Sequence, residues 1–507
     1  MQTIERVRGM LDAAPDEARR LDGLSAALLQ HFAGYGYRPV HVPVVEFAEL
    51  FLRKSGADVS ARMYSFDDQG GRRVALRPEF TAPVLRAFLQ LADPPPLPVR
   101  LAYSGPVFRY EKPQRGRYRQ FSQAGVELIG AEPPYADAEL LAMAAQVPPL
   151  LGLSDTRIVV GHLGILLAFL SALEVDGRTE AILLQGLETL KKGREGAQVL
   201  RRLLGLAPDD ADLPTATPPG PQGDPQVQAI LAGLPRQDAI LLVRSLLGSI
   251  NTDVGGGREP EEIVDRLLDR LRAGDQRGKA ERAIAFILEL SSLAGPRDLA
   301  LQQAEDLISR YGLSRQPLQE LERICRVLDS MQFDWSNVTI DLSLGRGLQY
   351  YTGLVFEVYG QGLGSEDQLC GGGRYDGLAR DLGSKQPISA LGCAWGLERL
   401  RLLQEPSADS DLWLDAVVVP TADTFGYATE VARVLRGRGL RVETELRERN
   451  LRASFAYASR RRARWLVVTG EENVRERTVR VHHIEAEASG EHVMAFAALR
   501  ADGLAPS

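Results

Sequence analysis

The chain alternates between stretches of helical and of strand periodicity, and that pattern divides it before any single residue is considered. In residues 16–33, Leu21, Leu24, Leu28 and Phe32 recur at helical spacing behind Pro15, which predicts an amphipathic helix. Residues 37–46 are β-branched and marked by Pro39 and Pro43, and predict a strand with at least one edge. Residues 63–78 predict a hairpin turning at Gly70-Gly71 and a strand ending at Pro78, followed by an apolar helical stretch through Phe88. Residues 108–127 alternate apolar and polar side chains at both ends around Pro113 and Gly116, predicting strand, charged loop, strand. A strand through residues 127–130, a helix opening at 136–141 and a buried strand and turn at 158–165 complete this first region.

From about residue 176 to 328 the texture becomes Leu, Ala, Arg and Glu at helical period. It is broken by the proline-rich run 208–221 and by Gly255-Gly256-Gly257, which predicts a helical insertion carrying a mobile loop. Strand periodicity returns after Tyr351, and Leu369-Cys370-Gly371-Gly372-Gly373-Arg374-Tyr375 predicts a glycine-rich turn entering a helix. Residues 390–400 predict a strand running into a helix. Past a polar linker at 404–411, strands at 416–420, 440–445 and 465–470 alternate with helices at 428–435 and 451–459. This spacing predicts a small, largely parallel sheet. The expected units are 1–175, the insertion 176–330, a second core part 331–405 and a separate domain 412–507.

Composition narrows the function classes. A chain of 507 residues with 44% hydrophobic content can bury two or three cores. With 60 Lys and Arg against 67 Asp and Glu, the net charge of -7 offers no global attraction to nucleic acid, so such binding needs a local basic surface. Residues 441–480 provide one candidate, with eleven Arg against six Glu; a mixed solvated surface is the other reading. Three scattered cysteines, Cys325, Cys370 and Cys393, exclude a disulfide scaffold and make a zinc cluster a poor expectation. No apolar run has membrane-spanning length and no signal-peptide core follows the N-terminus, which together predict a cytoplasmic protein.

The chemistry concentrates in 108–127. Arg109, Arg115, Arg117 and Arg119 supply guanidinium forks that suit phosphate oxygens, whereas Glu111, Gln123 and Glu127 supply acceptors for an ammonium or a hydroxyl. A zwitterion beside a polyphosphate needs that mixture. A solvated hairpin with cross-strand ion pairs is the alternative for such a run in isolation. Glu79 and Thr81 stand at a strand-to-helix junction, where a carboxylate also favours a helix N-terminus. Arg346, between Gly345 and Gly347, is expected to project from a sharp bend, and a surface arginine at a turn is its other reading. His162, beside glycines, is expected to be structural.

The ungapped run Arg109-Tyr110-Glu111-Lys112-Pro113-Gln114-Arg115-Gly116-Arg117-Tyr118-Arg119-Gln120-Phe121 closely resembles motif 2 of the class II aminoacyl-tRNA synthetases in its histidyl-tRNA synthetase form. In the expected order follow Gly345-Arg346-Gly347-Leu348-Gln349-Tyr350-Tyr351, similar to the histidine-specific motif, and Gly396-Leu397-Glu398-Arg399, similar to motif 3. The resemblance covers nearly all of the chain except the insertion and favours the archaeal-type branch. It implies an α+β fold: the class II antiparallel sheet flanked by helices, with a helical insertion and a C-terminal α/β domain of anticodon-binding type. It also implies that Arg109 and Arg346 act on the α-phosphate and that Arg109, Glu111, Arg117, Arg346 and Arg399 bind ATP with Mg2+. Histidine would be held by Glu79, Phe80, Thr81, Gln123, Glu127, Tyr350, Tyr351 and Tyr375. Gln114 and Arg115 would meet tRNA(His), no metal would be resident in the protein, and motif 1, in the first helix and strand, would form a homodimer.

Four departures stand out: Leu11 where the family has Arg, Phe80 where many bacterial members have Gly, Gln349 in place of Asp, and Arg447-Glu448-Arg449-Asn450 in place of the usual anticodon-domain run. The implied function is histidine–tRNA ligase. The alternative is the histidine-sensing regulatory subunit of ATP phosphoribosyltransferase, which partners that enzyme's catalytic subunit. A pure sensor needs neither the arginines of the loop nor the C-terminal domain.

Overall fold

A computed structural model describes residues 4–53, 62–206, 260–345, 350–363, 368–404, 414–421, 423–447, 449–484, 491–501 and 504. The expected proline-rich loop at 208–221, the glycine triplet at 255–257, Arg346 and Gln349 lie outside the described residues. The chain divides into two compact units, Met1–Gln404 and Glu405–Ser507.

The first unit contains β1 (Arg38–Pro39), β2 (Val45–Phe47), β3 (Ser65–Asp67), β4 (Arg73–Leu76), β5 (Val99–Phe108) and β6 (Gln120–Ile129). It continues with β7 (Thr156–His162), β8 (Val338–Ile340), β9 (Leu354–Gly360), β10 (Gln368–Arg374) and β11 (Ala390–Gly396). Eight of these form one sheet in the order β1-β5-β6-β11-β10-β9-β7-β8, and β2-β4-β3 form a small second sheet. The six central strands are antiparallel, while each edge pair, β1 with β5 and β7 with β8, is parallel.

The predicted helix spans Pro15–Gly34, with proline in its first turn followed by Asp16 and Glu17 at the positive end of the dipole. Its Leu24, Leu28 and Phe32 share a core with Ala124, Val126 and Leu128 of β6. Burying each such side chain contributes about 1.5–3 kcal/mol. The motif 2 hairpin forms as expected, β5 and β6 pairing over ten residues each. The hairpin at Gly70-Gly71 also forms, with Gly71 at φ +72°.

Two expectations are corrected. The strand expected over 37–46 is divided: β1 has two residues, β2 has three and belongs to the other sheet, and Pro39 and Pro43 remove the donors a continuous ladder needs. The glycine triplet 371–373 is the interior of β10 rather than a turn. Four of the described insertion helices, Gly177–Gln185, Leu187–Leu190, Arg194–Leu203 and Pro260–Ser291, supply Leu183, Leu187, Leu190, Leu200, Phe286 and Leu290 to the same core as the sheet.

The second unit holds β12 (Leu414–Pro420), β13 (Val442–Thr444), β14 (Ala463–Thr469), β15 (Thr478–His483) and β16 (Glu491–Ala495) in the order β13-β12-β14-β15-β16. The three expected strands are parallel, and β15 and β16 add an antiparallel edge. Along β12, Ala416 and Val418 pack with residues of the helix Phe425–Gly437, while Val417 and Val419 pack with Ala458 of the helix Leu451–Arg460. Burial on both faces explains its continuous apolar run.

Candidate active site

Residues paired across a sheet share a face, so the register shows what lines the site. One row reads Leu101, Glu127, Gly392, Gly373, Val355, Gly161 across β5, β6, β11, β10, β9 and β7. The next reads Tyr103, Gly125, Ala394, Gly371, Glu357, Val159, and a third sets Gly105 beside Gln123 and Gly396. Glycine thus occupies much of this face, and the space is used. A Cβ at Gly392 would lie 1.9 Å from Glu127 Oε2, one at Gly125 2.6 Å from the Tyr103 hydroxyl, and one at Gly373 2.8 Å from the Tyr351 ring. Gly125, Gly373 and Gly392 therefore leave this face low enough for the side chains of Tyr103, Tyr351 and Glu127 to lie across it.

At one end of this face the carboxylates are buried. Glu127 accepts from Thr81 Oγ1 at 2.7 Å, from the Tyr103 hydroxyl at 3.1 Å, and from the Tyr375 hydroxyl. Burial pushes its carboxyl up to about 8 against the pull of these three donors, and the neighbouring Glu79 adds to the rise. Glu79 accepts from the Ala82 N–H at 3.2 Å at the start of the helix Thr81–Leu89, and burial raises it to about 7 although that N–H and Arg109 oppose the shift. The helix-terminus reading of Glu79 is thereby met. The Tyr350 ring lies 4.8 Å from that of Tyr351 and 5.7 Å from that of Tyr375, so the three tyrosines are gathered beside Glu127. Tyr375 is held from both sides. Arg374 donates to Asp137 Oδ1 and Asp376 Oδ1 at 3.0 Å each, and Asp376 Oδ1 also accepts the Ala390 N–H at 3.0 Å.

Phe80 belongs to an apolar cluster with Val42, Val84, Tyr103 and Val107. Its ring stacks on Tyr103 at 4.3 Å with Arg77 over its other face at 4.0 Å, so it fixes the tyrosine that reaches Glu127. Sequence reasoning missed Tyr103, because a tyrosine in step with Leu101 along a strand reads as core; the glycine opposite it was the available signal.

At the other end an open cleft of about 630 Å3, its solvent-facing mouth included, is lined by Arg109, Glu111, Arg117, Gln123, Gln368, Glu398 and Arg399 among others. Arg109 Nε donates to the Pro78 carbonyl at 2.9 Å, and Arg399 donates to the carbonyls of Gly116 at 3.0 Å and Gln368 at 2.7 Å. A bulge in β10 between Gln368 and Cys370 presents that second carbonyl. Glu111 accepts from Arg117 and, at 3.1 Å, from Arg62. Burial alone would raise Glu111, but the guanidinium groups of Arg117, Arg109 and Arg62 hold it below the usual carboxylate range. Glu398, also missed by sequence reasoning, accepts the Ser122 N–H at 2.8 Å from the start of the motif 3 helix, and burial raises its carboxyl. Gln114 and Arg115 are exposed on a tight turn closed by the Gln114 and Arg117 backbone pair, with Gly116 at φ +74°.

Gln123 joins the two ends. It lines the cleft, and its Oε1 is buried with no hydrogen-bond partner. Glu127 is four residues, roughly 13 Å, further along the same face. Of the three arginines expected to converge, Arg109 and Arg399 share the cleft. His162 is 2% exposed with Nε2 3.2 Å from Glu320 Oε1, in keeping with a structural role. Among the described residues no group of three or more His, Cys, Asp or Glu is arranged to hold a metal, and no helix is long and apolar enough to cross a membrane.

Comparison with known proteins bears on the whole of this arrangement. The family model described as histidyl-tRNA synthetase matches residues 9–240 and 227–400, and the anticodon binding domain model matches 415–498. A curated protein of Archaeoglobus fulgidus named histidine–tRNA ligase is 30% identical, covering 96% of each chain. One of the same name from Methanocaldococcus jannaschii is 30% identical over 94% of each. Among solved structures, apo histidyl-tRNA synthetase of S. aureus matches with a TM-score of 0.63 at 23% identity, covering 98% of this chain and 99% of that one. A Bacillus halodurans protein described as an ATP phosphoribosyltransferase regulatory subunit/histidyl-tRNA synthetase matches with a TM-score of 0.62 at 22%, covering 93% and 99%. At such identities the structural likeness establishes the fold alone. The family models, which take in the motif 2 hairpin, the glycine-floored strands and the C-terminal unit, together with the archaeal relatives, decide the matter: this chain belongs to the histidyl-tRNA synthetase family.

Proposed function

We infer that the glycine-floored face carries out the first half of the reaction, joining histidine and ATP into histidyl-adenylate. The chain is a histidine–tRNA ligase, as its family and its archaeal relatives indicate, and the residue roles below are our assignment. Histidine binds at the buried end, its ammonium and imidazole facing Glu79, Thr81, Gln123, Glu127 and the hydroxyls of Tyr350, Tyr351 and Tyr375. Phe80 acts from behind, through Tyr103. ATP lies in the open cleft, where Arg109 and Arg399 face its phosphates and Arg117 and Glu111 frame the loop side; Arg346, outside the described residues, is assigned to the α-phosphate on its motif alone.

In that arrangement a histidine carboxylate oxygen attacks the α-phosphorus. The new P–O bond forms as the bond to the β-phosphate oxygen breaks, and pyrophosphate takes the electron pair. Positioning and charge neutralisation lower this barrier. Mg2+ would enter on the polyphosphate, as it commonly does, with Glu111 and Glu398 as the carboxylates of the cleft. The terminal ribose hydroxyl of tRNA(His) then attacks the acyl carbon and AMP leaves, with Gln114 and Arg115 on the exposed turn meeting the tRNA end. A site built from hydrogen-bonding groups rejects apolar analogues by leaving its own groups unpaired.

The observation that carries this reading is the shared face. Arg109 and Arg399 line one cleft that ends at Gln123, on the strand that carries Glu127. Against the histidine-sensor alternative stand the retained arginines of that cleft and the C-terminal unit. A homodimer is supported by the small sheet, where Val45 and Phe47 on β2 and Phe66 on β3 are each about half exposed on one face. A cytoplasmic setting is supported by three cysteines that form no disulfide. The test is histidine-dependent ATP–pyrophosphate exchange followed by charging of tRNA(His). Exchange and charging are expected, histidine binding without exchange would favour the sensor, and full exchange by Arg346→Ala would remove Arg346 from the mechanism.

A further inference from the structure

The motif 2 loop is fastened at its base by the N-terminal segment, at a point outside the residues assigned to ATP. Gly9 lies in the left-handed region at φ +87°. A Cβ there would come within 2.7 Å of Arg119 Cδ and 2.9 Å of Pro113 Cγ, so glycine alone fits the notch between the two sides of the loop. The Arg119 N–H donates to the Gly9 carbonyl at 2.8 Å, and its Nη1 donates to the Arg8 carbonyl at 3.1 Å. The same guanidinium donates through Nε to the Glu111 carbonyl at 3.0 Å and lies 4.0 Å over the Tyr110 ring. The Arg109 N–H donates to the Arg119 carbonyl at 2.9 Å. Arg119 is therefore the clasp through which residues 8 and 9 hold the backbone of Arg109, Tyr110 and Glu111.

We propose that the segment around Gly9 is a strap that positions the ATP-facing loop, with Gly9 and Arg119 as positioning residues for adenylation. The proposal rests on ATP occupying the cleft as assigned above. A side chain at Gly9 would have to displace either the strap or the clasp. Both displacements reach Glu111 and Arg109 through the carbonyls they share with Arg119. The histidine end is secured separately, by Glu127, Tyr103, Thr81 and the Arg374 clamp, and does not depend on the strap.

The test is steady-state ATP–pyrophosphate exchange by the full chain for wild type, Gly9→Ala, Arg119→Ala and the double variant, with melting temperatures measured alongside. Misplacing a positioned group costs one to two decades in efficiency, so the KM for ATP is expected to rise roughly tenfold in each single variant. The KM for histidine should stay within about twofold, and the double variant should be no worse than the worse single one, because both break one clasp. An unchanged KM for ATP in Gly9→Ala and Arg119→Ala, or parallel increases in both KM values with a fall in melting temperature, would overturn the strap while leaving the assigned activity intact. An inactive wild type would overturn both.

Discussion

The two ends of the glycine-floored face treat the same chemical group in opposite ways. Burial holds Glu127 and Glu79 well above the usual carboxylate range, whereas Glu111, sixteen residues before Glu127 in motif 2, is held below it by three guanidinium groups. The buried end resembles a lock: Glu127 is fixed by three hydroxyl donors and Glu79 by the Ala82 N–H. The open end is a field of charge, in which Arg109 and Arg399 line the cleft and are held by the backbone carbonyls of Pro78, Gly116 and Gln368. A zwitterion that must be told from its analogues needs the first environment, and a polyphosphate that must be neutralised needs the second.

Breaking the charged end should have the largest effect. Arg399→Ala or Arg109→Ala is expected to lower the exchange rate by roughly 10²–10³-fold, as for other preorganised transition-state donors, with histidine affinity little changed. Measured rates within a few-fold of wild type would place the phosphates elsewhere. At the buried end, Glu127→Gln replaces one of the two oxygens that accept from Thr81, Tyr103 and Tyr375 by an amide donor, so the KM for histidine should rise on the order of 10- to 100-fold while ATP affinity holds. Equal losses for both substrates would merge the two ends into one. Gly392→Ala places a methyl against Glu127, and overpacking of about 1–3 kcal/mol should weaken histidine binding by roughly tenfold. Isothermal titration with histidine reads this directly, and wild-type affinity would show that the floor has room to spare.

The smallest effect is on stability against pH. Glu79 and Glu127 keep a proton in the folded state that the unfolded chain releases near its ordinary carboxylate value. The folded protein therefore binds more protons across pH 5–8, and its stability falls as pH rises through about 7 and 8. The melting temperature of the ligand-free protein should decline over that window, and Glu127→Gln should decline less. A variant profile parallel to wild type would mean that Glu127 is already ionised at low pH.

The sequence was informative where one short run carries both periodicity and chemistry. The hairpin 108–127 alternates cleanly around Pro113 and Gly116, and its ten-residue strands pair as that alternation requires. It was misleading at 371–373, because glycine punctuates turns far more often than it paves a strand, and only the register with Gly392 and Gly125 reveals the second use. Glu398 and Tyr103 were passed over for a related reason: each sits in a stretch whose local pattern reads as a helix start or a core strand.

Alone, the sequence determined the family, the order of the motifs, the helices and strands with strong period, and the separateness of the C-terminal unit, because these depend on neighbours along the chain. Tertiary structure decided which side chains share a face, which carboxylates keep their protons, and that Arg119 joins the N-terminal segment to the loop. Those properties depend on burial and on distances between residues far apart in sequence, for which periodicity holds no record.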